Sequence, residues 1–163
     1  MTMPGFHAIM RNQSGAAAAE MALILPLVLL LIFGTFEGAY YIMCEHRVVK
    51  GVRDAARYAG RLPFSEYDCG GTFGGDATAV KNLARTGQIS GGTAAVYGWA
   101  NADVSIAVSC STSQQGIYSS VGGNAPKVTV SADVAYPSLF GTLGLATTGW
   151  RLKASAQSPV MGL

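Results

Sequence analysis

Residues 15–36 read GAAAAEMALILPLVLLLIFGTF, an apolar run interrupted only by Glu20. Residues 21–36 carry no charge at all, and counting back to Ala16 gives 21 residues, where about 20 helical residues cross a hydrocarbon core. This stretch predicts one membrane-spanning helix. Pro26 removes one backbone hydrogen bond and bends the helix locally, which spanning helices tolerate. Composition agrees: half of the 163 residues are apolar and 12% are charged, against roughly 25% charged in ordinary soluble domains.

A secretory signal with its apolar region at residues 21–33 is the competing reading. The following GTFEGAYYIMC offers no A-x-A-like small-residue pair, which favours retention of the segment. Glu20 is the anomaly, because a carboxylate inside an apolar run costs roughly 2.5–3.5 kcal/mol on insertion scales. Either it has a function or it marks the interface, with the span starting at Met21.

Its neighbours carry a resemblance. Ser14-Gly15-Ala16-Ala17-Ala18-Ala19-Glu20-Met21, followed by Ala22-Leu23-Ile24-Leu25-Pro26, resembles the processing site of type IV pilin-like proteins, with Gly before the cut and Glu five residues after it. More closely, the segment is similar to TadE-like minor pseudopilins of the tight-adherence (Tad, Flp) pilus system, whose pattern is G-x-x-x-x-E-[FM]-A and then an apolar run containing Pro. Met21 stands where Phe is commoner, a mild departure.

The resemblance implies a leader, residues 1–15, cut between Gly15 and Ala16 on the cytoplasmic face by a prepilin peptidase. It implies a transmembrane helix at 16–36, an amphipathic stalk helix at 37–62 and an extracytoplasmic α+β domain at 63–163. It further implies a minor pilin or pseudopilin of the cytoplasmic (inner) membrane that serves adhesion, with its carboxy-terminal domain periplasmic, and that stays in the membrane or enters the filament. Its partners are then the peptidase, other pilins or pseudopilins, the assembly platform and membrane lipid. Glu20 is the residue expected to act in assembly.

Helical periodicity continues past Phe36 until Gly60 and Pro63 stop it. Residues 16–59 make 44 helical residues, about 66 Å at 1.5 Å each. Arg47, Lys50, Arg53, Arg57 and Arg61 project to one side, with Asp54 among them. Val48, Val49, Val52, Ala55, Ala56, Ala59 and Leu62 project opposite, with Cys44 at their edge. The basic stripe either meets anionic lipid or acidic subunits, or is a solvated face. Loop charge alone would put these bases in the cytoplasm; the processing motif demands the reverse, and the five bases start eleven residues past Phe36.

Residues 65–75 form a glycine-rich loop without the G-K-[ST] of a phosphate cradle. Asp76 reads as the N-cap of a short helix, with Val80, Leu83 and Ala84 on one face and Gly87 beyond its end. In the polar connection 88–101, Tyr97 and Trp99 are expected to pack locally. Period-two alternation then places Val104, Ile106, Val108 and Cys110 on one face, likewise Val128, Val130, Ala132, Val134 and Tyr136, and likewise Trp150, Leu152, Ala154 and Ala156. Three antiparallel strands covered on one side by the stalk follow from this, an α+β fold. Leu139, Phe140, Leu143 and Leu145 read as a Gly-rich loop that caps the core or touches a neighbour or the membrane.

No chemistry is expected from these residues. A net charge of +2 is no nucleic-acid footprint; three Cys and two His lack metal-ligand spacing. His7 and His46 have no nucleophile beside them, there is no G-x-S-x-G elbow, and Glu66, Asp68 and Asp76 lack a partner base. Enzyme activity, a cofactor and a small-molecule substrate are therefore not expected. Two function classes remain, a pilus-assembly protein and a single-pass tethered extracytoplasmic binding domain outside any filament. Cys69 and Cys110 border elements that the sheet brings together, so in an oxidising space they are expected to pair, leaving Cys44 outside the bond.

Overall fold

The computed structural model describes residues 14–112, 114–142 and 149–162. The body of the expected leader with His7 and Arg11, and the expected contacts of Leu143 and Leu145, lie outside the described residues. The chain divides into two compact units, Met1–Ala39 and Tyr40–Leu163. Helix α1, Ser14–Ala59, with Pro26 inside it, supplies residues to both.

In the first unit every described side chain from residue 15 to residue 36 is exposed. Its most apolar 18-residue stretch has a mean hydropathy of 2.5, so α1 is long and apolar enough to cross a membrane. Leu23, Leu30 and Phe36 are exposed large apolar side chains. Water would penalise such a surface and lipid does not.

The second unit is built around residues 40–59 of α1. Cys44, Val48, Val52, Ala55, Ala56 and Ala59 recur at helical spacing and are all buried. Each valine withdrawn from water contributes about 1.5–3 kcal/mol. The stalk half is thus the central member of the second unit's core. Val49 departs from the expected face: it is half-buried and borders a shallow depression with His46, Lys50 and Arg53. The helix closes with Gly60 N–H donating to the Ala56 carbonyl at 2.9 Å and with bonds that reach back only three residues, from Arg61 N–H to Tyr58 and Leu62 N–H to Ala59, both at 3.1 Å, before Pro63 ends the pattern.

Opposite lies an antiparallel sheet of β1 (Val104–Ser111), β2 (Ala125–Ala135) and β3 (Arg151–Pro159), in the order β1-β2-β3. Val104 pairs with Ala132 and Val134 with Leu152. The central strand alternates throughout, with Pro126, Val128, Val130, Ala132 and Val134 buried, as a sheet covered on one face requires. On the outer face Asp133 accepts from the Arg151 guanidinium and lies 3.5 Å from Lys153. The Arg151 hydrogen bond holds the Asp133 carboxyl below its ordinary value.

Helix α2 (Ala77–Thr86) starts where Asp76 accepts from Thr78 and Ala79 N–H and ends at Gly87 in the left-handed region, φ 76°. Arg85 ties it to the following connection through the Trp99 carbonyl at 2.7 Å and Asn101 Oδ1 at 2.6 Å. Trp99 is fully buried, whereas Tyr97 is 85% exposed, against the expectation that both pack locally. Residues 139 and 140 belong not to a loop but to a single helical turn, α3 (Leu139–Thr142). Trp150 lies one residue before β3 and is half-exposed, although its carbonyl accepts from Tyr136 N–H at 3.0 Å.

Tyr67 braces the end of α1. Its ring leans on Phe73 at 5.7 Å and its hydroxyl donates to the Ala59 carbonyl. Burial, with Glu66 adjacent, pushes its pKa from 10.0 up to about 12. A raised folded-state value means that this contribution to stability is full below pH 10 and is lost as pH rises towards 12. Alkaline absorbance titration is therefore expected to include a late phenolate step, and Tyr67→Phe to delete that step. Loss of the step from any other tyrosine variant instead would contradict this assignment.

Candidate functional site

Gly15, Ala16 and Glu20 sit in the first turns of α1. A helix leaves its first four N–H groups without intrahelical acceptors, so the Gly15–Ala16 bond lies in the part of the ladder that opens most easily. Among the described residues, and apart from its chain neighbours and the helix's own backbone, no heavy atom stands within 4 Å of where a Cβ on Gly15 would point. A side chain there is tolerated by the fold, so any requirement for glycine at this position comes from whatever reads the segment. Ala16 and Glu20, one turn apart, share a helix face, and both are exposed. A chain beginning at Ala16 would thus present an amine and a carboxylate on the same side of a helix that carries no other charge as far as Phe36. Nothing in this constellation is a nucleophile with a base.

Elsewhere in the molecule, Cys69 and Cys110 are joined by a disulfide with a Cα–Cα distance of 5.4 Å. The bond ties the 67–75 loop, closed by the Tyr67–Phe73 bridge, to β1. Cys44 lies buried on the α1 face of the core. A 41-residue separation corresponds to roughly 4 kcal/mol in the chain-entropy model. Reduction of the bond is therefore expected to lower the urea midpoint of the second unit. An unchanged midpoint would show that the loop is held by its other contacts.

Arg47, Lys50, Arg53, Arg57 and Arg61 are all exposed along α1. Lys50 pairs with Asp54 at 2.7 Å, and Arg47 donates to the Ala95 carbonyl at 3.1 Å. His46 joins Lys50, Arg53 and Arg57 around the same depression. Exposed pairs of this kind are worth less than about 1 kcal/mol. Among the described residues no group of three His, Cys, Asp or Glu side chains is placed to hold a metal ion.

Two features of the second unit were not read from the sequence. Gly51 faces α2, where a Cβ would collide with the Ala84 carbonyl and come within 3.2 Å of the Trp99 ring. A lone glycine within an amphipathic pattern was the available signal. Tyr40, Tyr41, Tyr136 and Trp150 form an aromatic cluster with ring centroids 5.0–6.1 Å apart.

Compared with known proteins, residues 15–57 match the family model of TadE-like proteins. No curated protein and no solved structure matches the chain. The matched segment opens on Gly15 and runs through the buried α1 face as far as Arg57, so it contains both the candidate site and the helix on which the second unit is built.

Proposed function

We propose that this chain, whose residues 15–57 are a TadE-like segment, is a minor pilin or pseudopilin of a Tad pilus system, made as a precursor and cut between Gly15 and Ala16. The observation that carries the reading is the coincidence on one helix of Gly15, Glu20 and an apolar run long enough to cross a membrane. A prepilin peptidase would remove residues 1–15 at the cytoplasmic face, and residues 16–36 would remain as the anchor. The second unit then stands in the periplasm, an oxidising space that suits the Cys69–Cys110 disulfide. Other pilins or pseudopilins and the assembly platform are its partners, and adhesion is the process served. The role is structural: the helix is recognised, cut and stacked, and the folded unit is displayed.

Gly15→Leu tests this directly. A Cβ at this position meets nothing within 4 Å among the described residues and the apolar span is unchanged, so the variant is expected to insert into the membrane and remain uncut. In parallel, the wild-type protein is expected in the sheared surface-filament fraction or with the membrane-bound assembly complex. Normal cleavage of Gly15→Leu would place the cut elsewhere. A cleaved wild-type chain absent from both fractions would support a tethered binding domain instead.

A further inference from the structure

We propose that β3 is a self-association edge: two copies of the second unit pair β3 with β3, antiparallel about a two-fold axis through residue 154, and so join their sheets. This goes beyond the pilin reading and does not depend on it. The backbone decides which groups are on offer. Tyr136 N–H donates to the Trp150 carbonyl at 3.0 Å and Val160 N–H to the Pro126 carbonyl at 2.9 Å, and the β2–β3 register runs unbroken between them. The even-numbered β3 residues therefore bond to β2, while Arg151, Lys153, Ser155 and Gln157 turn N–H and C=O outwards. Among the described residues no backbone hydrogen bond reaches those outward groups. The opposite edge differs. By the same alternation Val108 and Cys110 face out of β1, and there Gly71 lies against the Val108 carbonyl and Cys110 is tied to Cys69, so the 67–75 loop screens that side.

An open edge templates pairing with another strand, and the charges along this one name the strand. Arg151 and Lys153 already share Asp133 within their own unit, so no acidic partner is called for. With residue 154 on the axis, Arg151 faces Gln157 and Lys153 faces Ser155 of the other copy. All four outward residues are matched, and no base stands opposite a base. The edge closes just beyond them, because Pro159 has no N–H and Met161 N–H is taken by the Gly60 carbonyl at 2.8 Å; this register leaves that end out. On the inner face Ala154 meets Ala154 and Leu152 meets Ala156. Both alanines are only half-buried in the single unit, and small side chains suit the close approach of a non-hydrogen-bonded pair, about 4.5 Å between Cα atoms.

The stretch 151–157 is short beside the roughly 20–30 residues a side of a stable interface, so the contact is transient and is best trapped covalently. Ala154→Cys, Ser155→Cys and Ala156→Cys are made separately in the full chain, purified in detergent micelles and oxidised with copper phenanthroline. Non-reducing electrophoresis measures the dimer, and peptide mass spectrometry identifies the linked cysteines. Only position 154 brings its own copy within the roughly 4.4–6.8 Å Cα separation that a disulfide spans, so Ala154→Cys is expected to dimerise at least about fivefold more than either neighbour. Adding Gln157→Pro deletes one outward N–H and spares the β2 ladder, and is expected to cut that yield at least about fivefold. Equal yields at the three positions signify random collision and overturn the proposal, as does the absence of any cross-link. A maximum at position 155 means a different register and also overturns it. The comparison of the three positions stands whether or not the proline variant folds.

Discussion

Glu20→Gln is expected to insert into the membrane and be cleaved after Gly15, yet to be lost from complexes with its pilus partners. Cleavage would create an amine on Ala16, largely protonated near neutral pH because α-amino groups have a pKa of about 8. In apolar surroundings that charge and the Glu20 carboxylate are each costly alone and favourable as a pair. Stacking of helices in a pilin-like assembly would let Glu20 of one subunit meet the amine of its neighbour and set their axial register. Removing one partner of a buried pair costs about 3–5 kcal/mol, more than a hundredfold in association at about 1.4 kcal/mol per decade. Glutamine keeps the volume and loses the charge, so the defect is electrostatic. Co-purification of Glu20→Gln at wild-type yield would reduce Glu20 to an acid resting among head groups.

The second large effect lies in the folded unit. Gly51→Ala places a methyl group against the Ala84 carbonyl and close to the Trp99 ring. Backbone cannot step aside as a flexible side chain can, so α1 and α2 must separate, straining the Arg85 bonds to Trp99 and Asn101. Overpacking of a core costs typically 1–3 kcal/mol; against backbone the upper end applies, and a melting temperature lower by about 10 °C is expected. Gly38→Ala is the control. It meets nothing within 4 Å, and alanine is the better helix former, so thermal unfolding followed by circular dichroism should be unchanged or slightly later. Equal behaviour of the two variants would show that the α1–α2 approach is not tight.

Features fixed by local chemistry were readable before the structure. Val128, Val130, Ala132 and Val134 alternate because the central strand is covered on one face only, and alternation survives in the sequence whatever covers it. Asp76 and Gly87 bracket α2 because cap chemistry is local to each helix end. Gly60 and Pro63 mark the end of α1 for the same reason. The TadE-like character of the segment that opens on Gly15 was equally plain, because a family resemblance of this kind lies in linear sequence.

Long-range choices were hidden. Whether Tyr97 packs inward depends on where α2 and Arg85 hold the 88–101 connection, and Trp99 takes the buried position instead. Val49 and Val52 are equally apolar, yet only Val52 is fully buried, since burial is decided by what the sheet reaches. Leu139 and Phe140 carry too short an apolar pattern to distinguish one helical turn from a loop. The aromatic cluster joins rings 109 positions apart in direct contact, Tyr41 and Trp150, which no window along the sequence can see.

The mature amino terminus, read by intact-mass and terminal-peptide spectrometry of protein taken from the membrane fraction, bears on all of this most directly. The expected chain begins at Ala16 and is lighter than the 16.9 kDa full chain by about 1.7 kDa, the mass of residues 1–15. A membrane-bound chain that keeps Met1, or one that begins beyond Phe36 after removal of the apolar segment, would contradict it.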